Sequence, residues 1–284
     1  MYLQPEKRKE TFMNRILLMG LLFATSTVYA QTSAQIVQKF YPNYSNKLKC
    51  RIAETEDGTY CMRVLKTETR TTLQGKLMYL LFGGNFVNTD EWKEEPVHAA
   101  SGSAGVFVLR EKAANDWELV AASPNNTVGS FGTAPAKSKW SFREFGKDKW
   151  GFLTTHSDVH QGHSGSHYVI LAHDGGRKIG ASWLGANIDD TGAYGADCEY
   201  APSEGDTPTV AERRKCMRKL KSAESSLKIL PNGKTVGGFY PLQLTLSGKL
   251  GSKTYRNQAY VVPFNAAKGQ YVAPKNYPLS DIDY

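Results

Sequence analysis

Five of the six histidines in the chain fall in one stretch, THSDVHQGHSGSHYVILAH, from Thr155 to His173. His156, His160, His163 and His167 repeat as H-x3-H-x2-H-x3-H, and His173 follows. Neutral imidazole is the commonest side chain for zinc and copper. These four histidines are therefore the candidate metal ligands, with zinc or copper as the candidate ion. On a helix, H-x3-H puts two rings on one face, but Gly162, Gly165 and the serines around them disfavour a helix here. The stretch holds no HExxH, and Asp158 is its one carboxylate. The competing reading is a polar loop or strand edge with solvated histidines.

The segment GHSGSHYVILAHDGGRKIGASWLG is similar to the region around the nucleophile of trypsin-like serine proteases. There, Gly-Asp-Ser-Gly-Gly is followed by a strand, a glycine turn and a second strand ending in Ser-Trp-Gly. Gly162, Ser164 and Gly165 match, and Ile179, Ser182 and Trp183 are similar with one extra residue between them. The resemblance implies Ser164 as nucleophile and His98, in VHAAS, as general base. The chain departs from the pattern at His163, Ser166 and His167, and in running on for 120 residues after Ser164. It also misses the last position of a G-x-S-x-G elbow.

Three further features could carry chemistry. In NIDDTG, Asn187, Asp189 and Thr191 alternate ahead of Gly192, like the first half of an EF-hand loop, but the twelfth position is Cys198 where a glutamate would be needed. The segment TVAERRKCMRKLKSAE is strongly basic, with Arg213, Arg214, Lys215, Arg218, Lys219 and Lys221, and would attract an anionic partner or simply face solvent. Trp117, Trp140, Trp150 and Trp183 would line a ligand groove or fill a sheet core.

The elements that must position these residues are mostly strands. TYCMRVLK alternates Tyr60, Met62 and Val64 on one face, and KLMYLLFGG reads as a buried strand stopped at Gly83–Gly84. Ala104 to Ser123 reads as a hairpin turning at Asn115–Asp116. KWSFREF and KWGFLTT bracket a turn at residues 146–148, and the strand after the histidines returns through Gly175–Gly176. The hairpins VFVL…LVAAS and YVIL…KIGAS resemble each other, a weak internal repeat. Ser33 to Tyr41 predicts a short leading helix capped by Ser33. A second helix begins at Thr207 with Pro208, or at Thr209 with Glu212 in a capping box, and runs to about Glu224. Residues 185–208, rich in glycine and aspartate, read as a long loop, and the last fifteen residues as an extended surface tail. The expected fold is mainly β: an antiparallel sandwich or open barrel-like sheets with one helix in the C-terminal half.

Lys7, Arg8, Lys9 and Arg15 precede the apolar run Ile16–Ala24, and Val28-Tyr29-Ala30 ends on a small residue. This predicts a signal peptide over 1–30, cleaved before Gln31, and one β-rich domain over 31–284. Removing it takes away four basic and two acidic residues, so the formal net charge falls from +8 to +6. That balance favours an anionic surface or an envelope protein as partner, and export argues against nucleic acid. No later apolar run approaches the ~18 residues of a transmembrane span. Cys50, Cys61, Cys198 and Cys216 predict two sequence-local disulfides, 50–61 and 198–216, in an oxidising compartment. Together these features predict a periplasmic or secreted protein with a binding or accessory role, of the inhibitor or immunity type, and no catalysis. The rival is a metal-binding protein or hydrolase centred on residues 156–167.

Overall fold

The computed structural model describes residues 30–193, 198 and 209–280. Its strands are β1 (Asn43–Ser45), β2 (Cys50–Thr55), β3 (Gly58–Thr72), β4 (Gly75–Asn88), β5 (Lys93–Glu94), β6 (Ser103–Ala113), β7 (Asp116–Thr127) and β8 (Ser141–Gly146). They continue as β9 (Lys149–His160), β10 (His163–His173), β11 (Ile179–Asp189), β12 (Lys221–Ile229), β13 (Leu242–Leu250), β14 (Lys253–Val262), β15 (Phe264–Asn265) and β16 (Gln270–Tyr271). Helix α1 spans Ser33–Gln38 and α2 spans Val210–Met217.

Two large antiparallel sheets and one two-stranded ladder, β15–β16, result, and neither large sheet is closed into a barrel. The first runs β1-β2-β3-β4-β6-β7, with β5 also on β4; the second runs β14-β13-β12-β11-β10-β9-β8. Nearly every neighbour in space is a neighbour in sequence, because tight turns join the strands. Asn115, Asp148 and Gln161 take positive φ at three of these turns, and Gly162 follows Gln161 in the same left-handed region, as two-residue hairpin loops require.

The period of two sorts the side chains into layers. In β4, Leu77, Tyr79 and Leu81 point to one side and Leu80 and Phe82 to the other. The first set meets Val106 and Val108 and, from the second sheet, Trp140, Phe152, Val169 and Leu171, so the two sheets pack face to face. The outer face of the first sheet is covered by Ile36, Val37 and Tyr41, from α1 and the residues after it. The outer face of the second sheet holds Ile170, Leu184, Leu244 and Leu246. The two similar hairpins, β6–β7 and β10–β11, supply opposite walls of the inter-sheet core.

Four expectations are corrected. Gly83 and Gly84 do not stop β4, which continues to Asn88. A Cβ there would lie 2.5 Å from Leu65 and 2.2 Å from the Met62 sulfur, so these glycines make room for side chains of β3. Helix α1 is capped by Thr32, in a capping box with Gln35, not by Ser33. Helix α2 uses Thr209 and Glu212 as its box but ends at Met217; residues 221–229 form β12, paired on both sides. The C-terminal tail, described as far as Ser280, does not simply run over the surface. Tyr271, Tyr277 and Leu279 are each 1% exposed. They fill the otherwise bare apolar face of the second sheet, and the Tyr277 hydroxyl donates to the Gly185 carbonyl at 2.7 Å.

Both disulfides join the expected partners, Cys50–Cys61 and Cys198–Cys216. Among the described residues no helix is long and apolar enough to cross a membrane.

Candidate functional site

The histidine stretch is the hairpin β9–β10. Its register sets His156 opposite His167 and His160 opposite His163. Directly opposed residues share a face, and so do residues two apart, so all four candidate ligands lie on one face of the hairpin. They form two cross-strand pairs, not a cluster of four. Four residues at ~3.4 Å each separate the pairs along the strand, roughly 14 Å. Among the described residues no three His, Cys, Asp or Glu side chains come together in a way that could hold a metal ion.

The two pairs have different surroundings. His156 and His167 both pack against the half-exposed Trp183, with ring centroids 5.0 and 5.8 Å from the indole. Burial pushes the His156 imidazole below its ordinary range, against the pull of Asp158 and the Gly129 backbone. Burial also lowers His167, and the neighbouring His156 adds to that. Both shifts favour the uncharged ring. The Nδ1 atom of His156 is buried and has no hydrogen-bond partner among the described residues. At the tip of the hairpin His160 is exposed, while Nδ1 of His163 sits 3.0 Å from Oδ1 of Asp190. The second oxygen of Asp190 accepts from the Lys221 backbone N–H at 3.2 Å. His173 is buried between the sheets; its Nε2 lies 2.9 Å from the Gly176 carbonyl and its ring stands edge-on to Tyr79.

The other sequence candidates are not assembled into sites. Ser164 points away from the four histidines, and its hydroxyl donates to the Asp189 carbonyl at 3.2 Å. His98 packs edge-on against Phe131, so the Ser164–His98 pair that the protease resemblance implies is not formed by a hydrogen bond. The Asp189 carboxylate accepts from both the amide and the hydroxyl of Thr191, capping a short 3-10 turn. Asn187 donates to the Ala223 carbonyl. These oxygens serve local turns and strand contacts and do not converge as calcium ligands. Helix α2 has no buried residue, so its basic side chains lie on a solvated element.

A site that the sequence reading missed lies on the outer face of the first sheet. Between α1 and the Cys50–Cys61 corner runs a groove of about 570 Å³. Val37, Met62, Met78, Leu80 and Phe82 form its apolar floor, and Lys49, Arg51 and Arg63 stand at its rim. The two arginines are held in place. Arg51 donates to the Tyr41 carbonyl at 3.1 Å, and Arg63 to the Leu48 carbonyl at 2.6 Å while pairing with Glu94. Tyr44 and Val64 stand exposed beside it, at 54% and 55%. The one sequence signal was the apolar face Tyr60-Met62-Val64, which runs from core to surface without becoming polar.

No family model matches this chain, and neither the curated proteins nor the solved structures include a significant match.

Proposed function

We propose that this is an exported binding protein, acting in the bacterial periplasm or outside the cell, and that its ligand is an anionic amphiphile: one apolar chain carrying an acidic head. The observation that carries this reading is the groove beside α1. Its floor is two methionines with Val37, Leu80 and Phe82, and the methionines adapt to a flexible chain. Its rim holds Lys49, Arg51 and an Arg63 already paired with Glu94, a net positive charge that favours a negative head. Its volume is within the ~300–1,000 Å³ usual for small-ligand sites. The leader over 1–30 and the two disulfides support export.

Calorimetric titration of delipidated mature protein with a long-chain carboxylate, and with the alcohol of equal length, tests it. The expected result is one-to-one binding, weaker for the alcohol by about tenfold, corresponding to ~1.4 kcal/mol. Equal affinity would remove the role of the rim, and no binding of either would overturn the reading.

One observation favours a second reading. Directly opposed residues on paired strands bring their side chains close, and His156 and His167 are such a pair of imidazoles with Trp183 against both. Copper or zinc would be held there by two protein nitrogens and solvent. Copper should then quench Trp183 emission in the native protein and not in a His156→Ala/His167→Ala variant; equal quenching in both would exclude the pair as a site.

A further inference from the structure

Gln31, the residue that the leader pattern places first in the mature chain, is tied into the fold at its backbone. Its nitrogen lies 2.9 Å from Oδ1 of Asp116, a residue 85 positions away. Its carbonyl accepts from the Trp117 backbone N–H at 2.8 Å. The second Asp116 oxygen pairs with Lys112 at 3.1 Å. Together the Gln31 backbone N–H and Lys112 hold the Asp116 carboxyl below its usual range. Helix α1 begins two residues later, and its Ser33, Ala34 and Val37 form one wall of the groove.

We propose that Asp116 is the receptor for the amino terminus released by cleavage between Ala30 and Gln31, and that this ion pair latches the helical wall of the groove. The step is hydrolysis by a signal peptidase. The Ala30–Gln31 peptide bond breaks and water supplies a hydroxyl to the Ala30 carbonyl. The freed Gln31 nitrogen gains the remaining hydrogen and, at neutral pH, one more proton. An amide N–H facing Asp116 becomes an ammonium facing the same oxygen, and a charge-assisted bond replaces a weaker neutral one.

The pairing has a chemical consequence. An amino-terminal glutamine cyclises when its unprotonated amine attacks its own side-chain carbonyl: a ring C–N bond forms, the Cδ–Nε2 bond breaks, and ammonia leaves. An amine held protonated against Asp116 is a poor nucleophile, so the latch protects Gln31 from conversion to pyroglutamate.

The inference rests on the export reading, and the test separates the two. The full chain is expressed with its leader in a bacterium, and the exported protein is weighed intact. A mature chain that does not start at Gln31 refutes the cleavage, and with it the latch. If the chain starts at Gln31, wild type is compared with Asp116→Asn and with a mature form that keeps Ala30. The latter displaces the ammonium by one residue without touching the folded interior. The pair raises the α-amine pKa, so its stabilisation is fully present below about pH 8 and is lost as pH rises through the folded-state value. Wild type should therefore lose about 2–4 °C of Tm above about pH 8 that the Ala30-retaining form does not lose. Asp116→Asn should lose the mass of one ammonia faster than wild type. Parallel pH profiles in wild type and the Ala30-retaining form, or equal cyclisation in wild type and Asp116→Asn, would overturn the latch while leaving export and the groove intact.

Discussion

Replacing Cys50 and Cys61 together by alanine should cost far more than the same change at Cys198 and Cys216. The two loops, with sequence separations of 11 and 18, are close in length. Chain entropy alone then gives about 3 kcal/mol for each bridge, slightly more for the longer. The surroundings reverse that order. Cys50 and Cys61 are 2% and 0% exposed and pack against Ile52 and Val87. Deleting two buried sulfurs adds roughly 1 kcal/mol each in lost packing. The total of about 5 kcal/mol corresponds to a fall in Tm of roughly 10–20 °C. Cys198 is likewise buried, at 3%, but Cys216 lies on α2, a helix with no buried residue, so this bridge has one packed sulfur where the first has two. Opening that bridge frees a weakly packed element, and its unfolding is local, so the global transition loses less than ~3 kcal/mol. Thermal melting of the two double variants, followed by circular dichroism, measures the difference. Because Cys50 also lines the groove, amphiphile binding should weaken in the first variant and survive in the second. A larger Tm loss on removing Cys198–Cys216 would refute the reasoning.

Acid should destabilise the fold before any carboxylate is protonated. Burial lowers the imidazole pKa of His156, His167 and His173, so the unfolded chain takes up protons that the folded one does not. Stability should fall as pH drops below the ordinary histidine value of about 6.5 and level off below the folded-state values; a Tm flat from pH 7 to 5 would contradict this. The tail supplies a packing test: Tyr277→Ala should cost about 3–5 kcal/mol. Tyr277→Phe should cost only about 1 kcal/mol, since the Gly185 carbonyl still accepts from the Ser225 hydroxyl. Equal denaturant midpoints for the two variants would show that the tail does not pack as described.

Much of this architecture was legible because its signals are local. Asn115, the Gly146–Asp148 turn and Gly175–Gly176 mark hairpins that formed as read, and the cysteines pair as their spacing suggests, whereas the hairpin through Gly162 was not read from the histidine stretch. The reading failed where tertiary contacts decide. Lys221–Ile229 carries Glu, Lys and Ser on its outer positions, which look like a continuing charged helix until β11 and β13 are seen to hydrogen-bond it. Tyr271 and Tyr277 sit among prolines with no period, and only the bare face of the second sheet explains their burial. The histidines were visible as a set. Their division into two pairs depends on register, and Asp190, the partner of His163, lies beyond the next strand. The groove draws on α1, β2, β3 and β4, so no single window of sequence contains it.

The groove is tested most directly through methionine. After removal of residues 1–30 the chain keeps Met62, Met78 and Met217. The first two line the groove, and the third is exposed on α2. With 13C-methyl methionine, addition of a long-chain carboxylate to the mature protein should shift the Met62 and Met78 resonances in a saturable way and leave Met217 in place. A shift confined to Met217, or no shift at any of the three, would contradict the binding site proposed here.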